Sequence, residues 1–261
     1  MIDEAMRFLI VLAVGAAGQL LDGTLGMGFG VFSASMLLAA GFAPVTVVST
    51  VNIAKVFTGV FSGLAHWKAG NIRTTWLLAL VVPGVIGGIL GSYLLLSVPQ
   101  ERFRFWTAVV LTGMGLVILC RSFFPALFSF GSTSRDIPVR FWRGLFLVVL
   151  GLIAGFSNAA SGAYGPLATS GVMLIARSKS SVAVGTVNVA EIFVAGSVIS
   201  ILLLQKGLYV PSWDLALALI LGGALTSYPA AYVCRKLPPK ALQFAVGLAL
   251  VCLNLGVVIS Q

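Results

Sequence analysis

Asp22-Gly23-Thr24-Leu25-Gly26-Met27-Gly28-Phe29-Gly30 interrupts an apolar run that extends from Phe8 to Ala43. A glycine inside a helix costs about 1 kcal/mol relative to alanine, so this concentration of them predicts a helix that stops and restarts. The event recurs: Ser157-Asn158-Ala159-Ala160-Ser161-Gly162-Ala163-Tyr164-Gly165 breaks the apolar run from Leu145 to Ala176. The match continues outward, with Val51-Asn52-Ile53-Ala54-Lys55-Val56-Phe57 aligning with Val187-Asn188-Val189-Ala190-Glu191-Ile192-Phe193, Trp76 with Trp213 and Tyr93 with Tyr232. The offset grows from 135 residues (Phe29 to Tyr164) to 139 (Pro99 to Pro238), as loop insertions would make it. The chain therefore reads as two tandem repeats, 1–130 and 137–261, joined by the polar stretch 131–136 within one compact domain.

Hydrophobic residues make up 59% of the 261, charged residues only 9%, and the mean hydropathy is +1.08, which excludes a soluble globule. Apolar runs long enough to be membrane spans recur throughout, so the expectation is an all-α multi-pass membrane protein. The net charge of +9 does not point to nucleic acid, because the basic residues stand singly or in pairs between apolar runs, as cytoplasmic loops do. The N-terminal stretch has a counterpart in the second repeat and an acidic lead of Asp3 and Glu4, so it reads as a retained helix rather than a signal peptide. Cys120, Cys234 and Cys252 are far apart and suit packing better than a disulfide framework or a metal site.

Ten apolar segments are expected, at about 6–21, 28–41, 44–67, 73–97, 103–124, 143–157, 163–176, 181–204, 212–234 and 240–259. Those flanking each break are short: 14 helical residues reach roughly 21 Å, against a hydrocarbon core of roughly 30 Å. The basic residues choose among topologies. With an odd number of crossings per repeat, one face collects Lys68, Arg73, Arg121, Arg135, Arg140, Arg143, Arg177, Lys179, Arg235, Lys236 and Lys240, while the other keeps Arg7, Arg102, Arg104 and Lys206. A single kinked crossing at each break removes this bias. The positive-inside rule thus favours odd-numbered, inverted repeats. The expected form is a glycine-broken re-entrant helix pair followed by three transmembrane helices in each repeat, with both termini on the non-cytoplasmic side. The two breaks would then meet in mid-protein, where restarting helices offer unpaired N–H groups and a positive dipole end to an anion.

Lys55 stands alone in an apolar helix, where a charge costs about 2.5 to 3.5 kcal/mol, and its repeat mate Glu191 is equally isolated. Two readings follow: a structural pair that ties the halves together, or contact with a substrate or a coupling proton. Asn52 and Asn188 precede these charges by three positions and share their helix faces, as helix-packing amides or as ligand contacts. Gly26, Gly28, Ser161, Gly162 and Tyr164, at the breaks, complete the candidate substrate-binding set. Asp22, at the mouth of the first break, suits a helix cap or a proton-linked site. His66, beside Trp67 and Lys68, reads as interfacial, as do Trp76, Trp106, Trp142 and Trp213. The glycines from Gly84 to Gly91 and at Gly222 and Gly223 read as close helix packing. The sequence holds no paired-carboxylate site, metal cluster, nucleophile with a base or P-loop, so an enzyme is not expected.

The duplicated pattern Gly26-x-Gly28-x-Gly30 and Ser161-Gly162-x-x-Gly165, with the Asn52 and Asn188 helices and Gly87-Gly88-x-x-Gly91 leading to Pro99, resembles the TauE/SafE family of sulfite and organosulfonate exporters. The resemblance covers about residues 8 to 258. The second repeat departs from it, with Ala163 where the first has Gly28 and Pro166 after Gly165. The family implies a carrier of small sulfur-containing anions, such as sulfite, sulfoacetate or related sulfonates, in the bacterial cytoplasmic membrane. The implied partners are a small anion and the lipid bilayer, with a proton as a candidate coupling ion through Glu191 or Asp22. No cofactor, metal or nucleic acid is expected, and a homodimer stays open. An anion or proton channel and a non-transporting membrane scaffold are the alternative classes.

Overall fold

The computed structural model describes residues 4–25, 28–123, 139–176, 180–208, 211–233 and 239–259. Gly26, the 131–136 linker and Cys234 lie outside these residues, as do the Trp142 side chain and several of the loop arginines and lysines counted above. Among the described residues the chain is all helix, in ten segments: α1 (Glu4–Leu25), α2 (Phe29–Ala39), α3 (Pro44–Lys68), α4 (Thr74–Ser97), α5 (Gln100–Phe123), α6 (Val139–Ser161), α7 (Gly165–Ala176), α8 (Ser180–Lys206), α9 (Trp213–Val233) and α10 (Pro239–Ile259). Six of them are long and apolar enough to cross a membrane. Large apolar side chains such as Leu9, Phe57, Phe61, Leu90 and Phe193 cover the outer surface, as a lipid-facing protein requires.

Each break forms a helical hairpin. Gly28 faces Leu21, Gly18 faces Phe29 and Ser33, and Arg7 lies over the Phe42 ring at 5.9 Å, so α2 runs back beside α1 to the end where α1 began. In the second half Gly171 of α7 meets the Leu150 side chain of α6 in the same way. The returning arms are short: 11 and 12 residues reach roughly 16 and 18 Å. The first arms correct the sequence expectation. At 22 and 23 residues, or roughly 33 and 34 Å, they match a bilayer core, because residues 22–25 and 158–161, expected to belong to the breaks, continue the helix rather than end it.

The helices pack in reciprocal pairs. The glycine face of α4 lies on α6, where a Cβ on Gly91 would stand 2.8 Å from Ala159 Cβ and Gly155 abuts Gly84 backbone to backbone. The same association joins α9 to α1, where Gly15 meets the Leu219 carbonyl and Gly222 meets Leu12 and Ala16. These glycines let backbones approach where no hydrophobic force drives helices together. At the centre α3 runs antiparallel to α8, with Gly59 against Ile192, Gly63 against Val189 and His66 against Gly185. Likewise α5 runs antiparallel to α10, with Gly115 against Leu250 and Phe123 edge-on to Phe244.

The two ends of the bundle repeat one another. Thr186 Oγ1 accepts the Arg73 N–H at 3.0 Å ahead of α4, and Thr50 Oγ1 accepts the Ser212 N–H at 3.1 Å ahead of α9. One end gathers Arg7 and Asp214, paired at 2.8 Å, with Phe42 and Arg104, while the other gathers His66, Asn71 and Arg73. Cys120 and Cys252 are free and exposed on the outer surface, which corrects their assignment to packing.

Candidate functional site

Lys55 occupies the middle of α3, and its ammonium is buried where the two breaks touch. A Cβ on Gly162 would stand 3.4 Å from the Gly30 carbonyl, and Gly30 itself packs directly on the end of the lysine chain. Nothing larger than glycine fits at position 30, because a Cβ there would overlap Lys55 Cε, Lys55 Nζ and the Gly162 oxygen. Gly162 needs its own lack of a side chain for a different reason. Its φ of +71° lies in the left-handed region, and the resulting turn aims its carbonyl at the ammonium.

Lys55 Nζ donates to Glu191 Oε1 at 2.5 Å, to Gly162 O at 2.6 Å and to Asn158 Oδ1 at 2.9 Å. An ammonium has three donors, so these acceptors use all of them and offset the desolvation of the charge. An amide relay continues from there. Asn158 Nδ2 donates to Asn52 Oδ1 at 2.7 Å, and Asn52 Nδ2 donates to the Val48 carbonyl at 2.8 Å. With both ends committed, each amide has one orientation, and the relay locks α6 of the second half to α3 of the first.

Beside the ion pair lies a cavity of about 20 Å³, room for about one water molecule, lined by Asp22, Lys55, Thr58, Ser62, Asn188 and Glu191 among others. Its walls come from α1, α2, α3 and α8, and therefore from both halves of the chain. Glu191 is the more accessible member of the pair, with 14% of its side chain exposed against 4% for Lys55. Asn188 Nδ2 donates to Ser62 Oγ at 2.9 Å across α3 and α8. Asp22 Oδ1 accepts the Gly28 N–H at 3.0 Å, so this carboxylate serves the restart of α2 while reaching the cavity wall.

The structure thus gathers Lys55, Glu191, Asn52, Gly28, Gly162, Asp22 and Asn188 in and around one buried cluster. Gly26 falls outside the described residues. Ser161 is buried, but its hydroxyl bonds the Ser157 carbonyl at 3.0 Å within its own helix. Tyr164 is fully buried with its hydroxyl unpartnered, among Leu80, Val187, Ala190 and Val194. Two residues essential to the cluster escaped the sequence reading. Asn158 was passed over because its repeat mate, Gly23, carries no amide, and Gly30 was read only as part of a break. An amide inside a glycine-rich interruption of an apolar run was the available signal for Asn158.

The cluster is a charge with every donor taken, buried at the meeting of two broken helices next to a small polar cavity. Comparison with known proteins gives the chain its family. The family profile described as sulfite exporter TauE/SafE matches residues 10–257. A curated relative from Bacillus subtilis (strain 168), named "Probable membrane transporter protein YtnM", is 33% identical over 263 residues, covering 98% of this chain and 84% of the relative. No solved structure matches the chain. A profile match over nearly the whole length and a relative that aligns with 98% of this chain leave one assignment: this chain is a multi-pass membrane transporter of the sulfite exporter TauE/SafE family.

Proposed function

We propose that the protein is a secondary transporter of small sulfur-containing anions, sulfite or a short organosulfonate, working in the bacterial cytoplasmic membrane by alternating access between two inverted repeats. The observation that carries this reading is Lys55, a cation buried at the junction of both breaks beside a cavity walled by both halves. The antiparallel pairing of α3 with α8 and of α5 with α10, equivalent helices by sequence offset, supports inverted repeats related by an axis in the membrane plane. The family's description supports the substrate class.

An anion reaching Lys55 has to take the place of an existing acceptor, because the ammonium has no free donor. Glu191 is the acceptor that yields, since it alone of the three lines the cavity. Outward movement needs no other ion: with the interior negative, an anion gains about 2.3 kcal/mol per charge per 100 mV on leaving. Proton coupling enters where the displaced carboxylate takes up a proton.

The saturation of Lys55 also favours a second reading, in which the pair with Glu191 only ties the halves of a scaffold together. Uptake of labelled sulfite and a small sulfonate into proteoliposomes separates the two. Saturable flux that is lost in a folded Lys55→Met variant supports the carrier, and flux that depends on a pH gradient and loses that dependence in Glu191→Gln supports coupling. Absence of flux for both anions under every gradient rejects the proposal in favour of the scaffold.

A further inference from the structure

The wall of the cavity beside Asp22 offers more lone pairs than protons. Lys55 has committed all three of its protons to Glu191, Gly162 and Asn158. Thr58 donates its one proton to the Ala54 carbonyl at 3.0 Å, which leaves the lone pairs of Oγ1. Asn188 turns its nitrogen to Ser62, so its oxygen stays free. Asp22 accepts from the backbone at the restart of α2 and Glu191 from Lys55, and an ionised carboxylate has about four lone-pair sites.

Gln19 is the member of this wall that packing does not explain. It is 5% exposed, lines the cavity and has no hydrogen-bond partner among the described residues. A buried amide without a partner is costly, and the cavity is where a partner can stand. The second half of the chain serves as a control. Gln19, Thr58 and Ser62 have Ala154, Val194 and Val198 as repeat counterparts, at offsets of 135, 136 and 136 residues, and all three counterparts are fully buried. Apolar side chains satisfy the packing at these positions, and the polar ones stand where the cavity is.

Charge balance gives the sign of the ligand. Asp22 and Glu191 bring two negative charges to a wall with one ammonium, and the three groups act on one another electrostatically. One further positive charge neutralises the cluster. A proton needs only a carboxylate, whereas neutral oxygens from Gln19, Thr58, Ser62 and Asn188 suit a hard metal cation. With two carboxylates, one of them already paired to Lys55, around about 20 Å³, that cation is small and monovalent.

We propose that this cavity binds one Na+ ion, held by Asp22, Glu191 and the side-chain oxygens of Gln19, Thr58, Ser62 and Asn188. Its consequence rests on the transporter reading above. A cation on Glu191 competes with Lys55 for the carboxylate, and Glu191 is the acceptor that an incoming anion displaces. Na+ and the anion therefore favour one another's binding, a reciprocal coupling that lets a sodium gradient drive the anion.

Thermal unfolding in detergent, titrated with NaCl against choline chloride at constant ionic strength and without sulfite or sulfonate, tests the site. The variants are Gln19→Ala, Thr58→Val and Thr58→Ser, the first two matching side chains that the second half already packs. The expected result is a saturable rise in Tm with Na+ and not with choline. The half-maximal Na+ concentration is raised about tenfold in Gln19→Ala and Thr58→Val and is unchanged in Thr58→Ser. In proteoliposomes, an inward sodium gradient speeds labelled-sulfite uptake by wild type and not by Gln19→Ala. Equal melting in the two salts overturns the site, as does a midpoint unmoved in both apolar variants. Stabilisation that tracks pH identically in both salts assigns the extra charge to a proton and also overturns it. Sulfite flux indifferent to the sodium gradient overturns the coupling. Sodium stabilisation with the expected variant pattern, but no flux of sulfite or a small sulfonate, upholds the site and rejects the transporter reading.

Discussion

Gly30 lies so close to Lys55 that a methyl group at position 30 would overlap the lysine's Cε and Nζ and the Gly162 carbonyl together. The first break is thus shaped around a side chain of the following helix. Gly30→Ala is expected to drive the ammonium off at least one of its acceptors, at a cost of about 1–3 kcal/mol as for other overpacked sites. Melting in detergent and sulfite flux check this, and a variant equal to wild type in both would show that the contact is not tight.

Removing one member of the central pair leaves a buried charge alone. Lys55→Met and Glu191→Leu are each expected to destabilise by about 3–5 kcal/mol, and the double variant to recover most of that loss. Recovery of stability without recovery of flux would separate holding the fold from moving the anion. Additive losses in the double variant would mean that the two charges do not act as a pair.

Asn158 holds one end on Lys55 and the other on Asn52. Asn158→Leu breaks both bonds and is expected to cost about 2 kcal/mol, with Asn52→Leu costing less because Lys55 keeps its acceptor. A double-mutant cycle should return a coupling of about 0.5–3 kcal/mol, as for residues of one network. Zero coupling would deny the relay.

Thr50 and Thr186 perform the same task at opposite ends of the bundle. Each Thr→Val change is expected to cost about 1 kcal/mol, and the pair to be additive within about 0.5 kcal/mol, since the sites share no partner. Unequal costs would show that one end of the bundle depends on its cap more than the other.

The hairpin of α1 and α2 returns to the end marked by Arg7 and Phe42, and Lys68 ends α3 after a full-length crossing. In a background without the three native cysteines, Phe42→Cys is expected to react with an impermeant thiol reagent added outside intact cells. Lys68→Cys is expected to react only after permeabilisation. Labelling of both positions from one side would overturn the proposed topology.

The sequence was read most fully where a local cost or a periodicity speaks for itself. Both breaks stood out because glycine is penalised in helices, and the repeat followed from Lys55 and Glu191 standing at matching positions in matching helices. The glycine faces of α4 and α9 were identified as packing surfaces on composition alone, and the backbone contacts of Gly87 with Leu152 and of Gly222 with Leu12 agree. Helix length before each break was underestimated, because residues 22–25 and 158–161 read as part of the breaks while they continue the helices.

By itself the sequence placed this chain in a membrane, pointed to two tandem repeats, and predicted a lysine and a glutamate buried in its interior. Those conclusions rest on transfer free energy and helix propensity, which belong to residues and short segments. Only the tertiary structure decided which acceptors hold Lys55, that Asn158 is one of them, and that Ser157 and Tyr164 are left with unpaired hydroxyls. The three acceptors of Lys55 lie 103 to 136 residues from it, and no local property of a chain encodes which distant oxygen will arrive within 3 Å of a given amine.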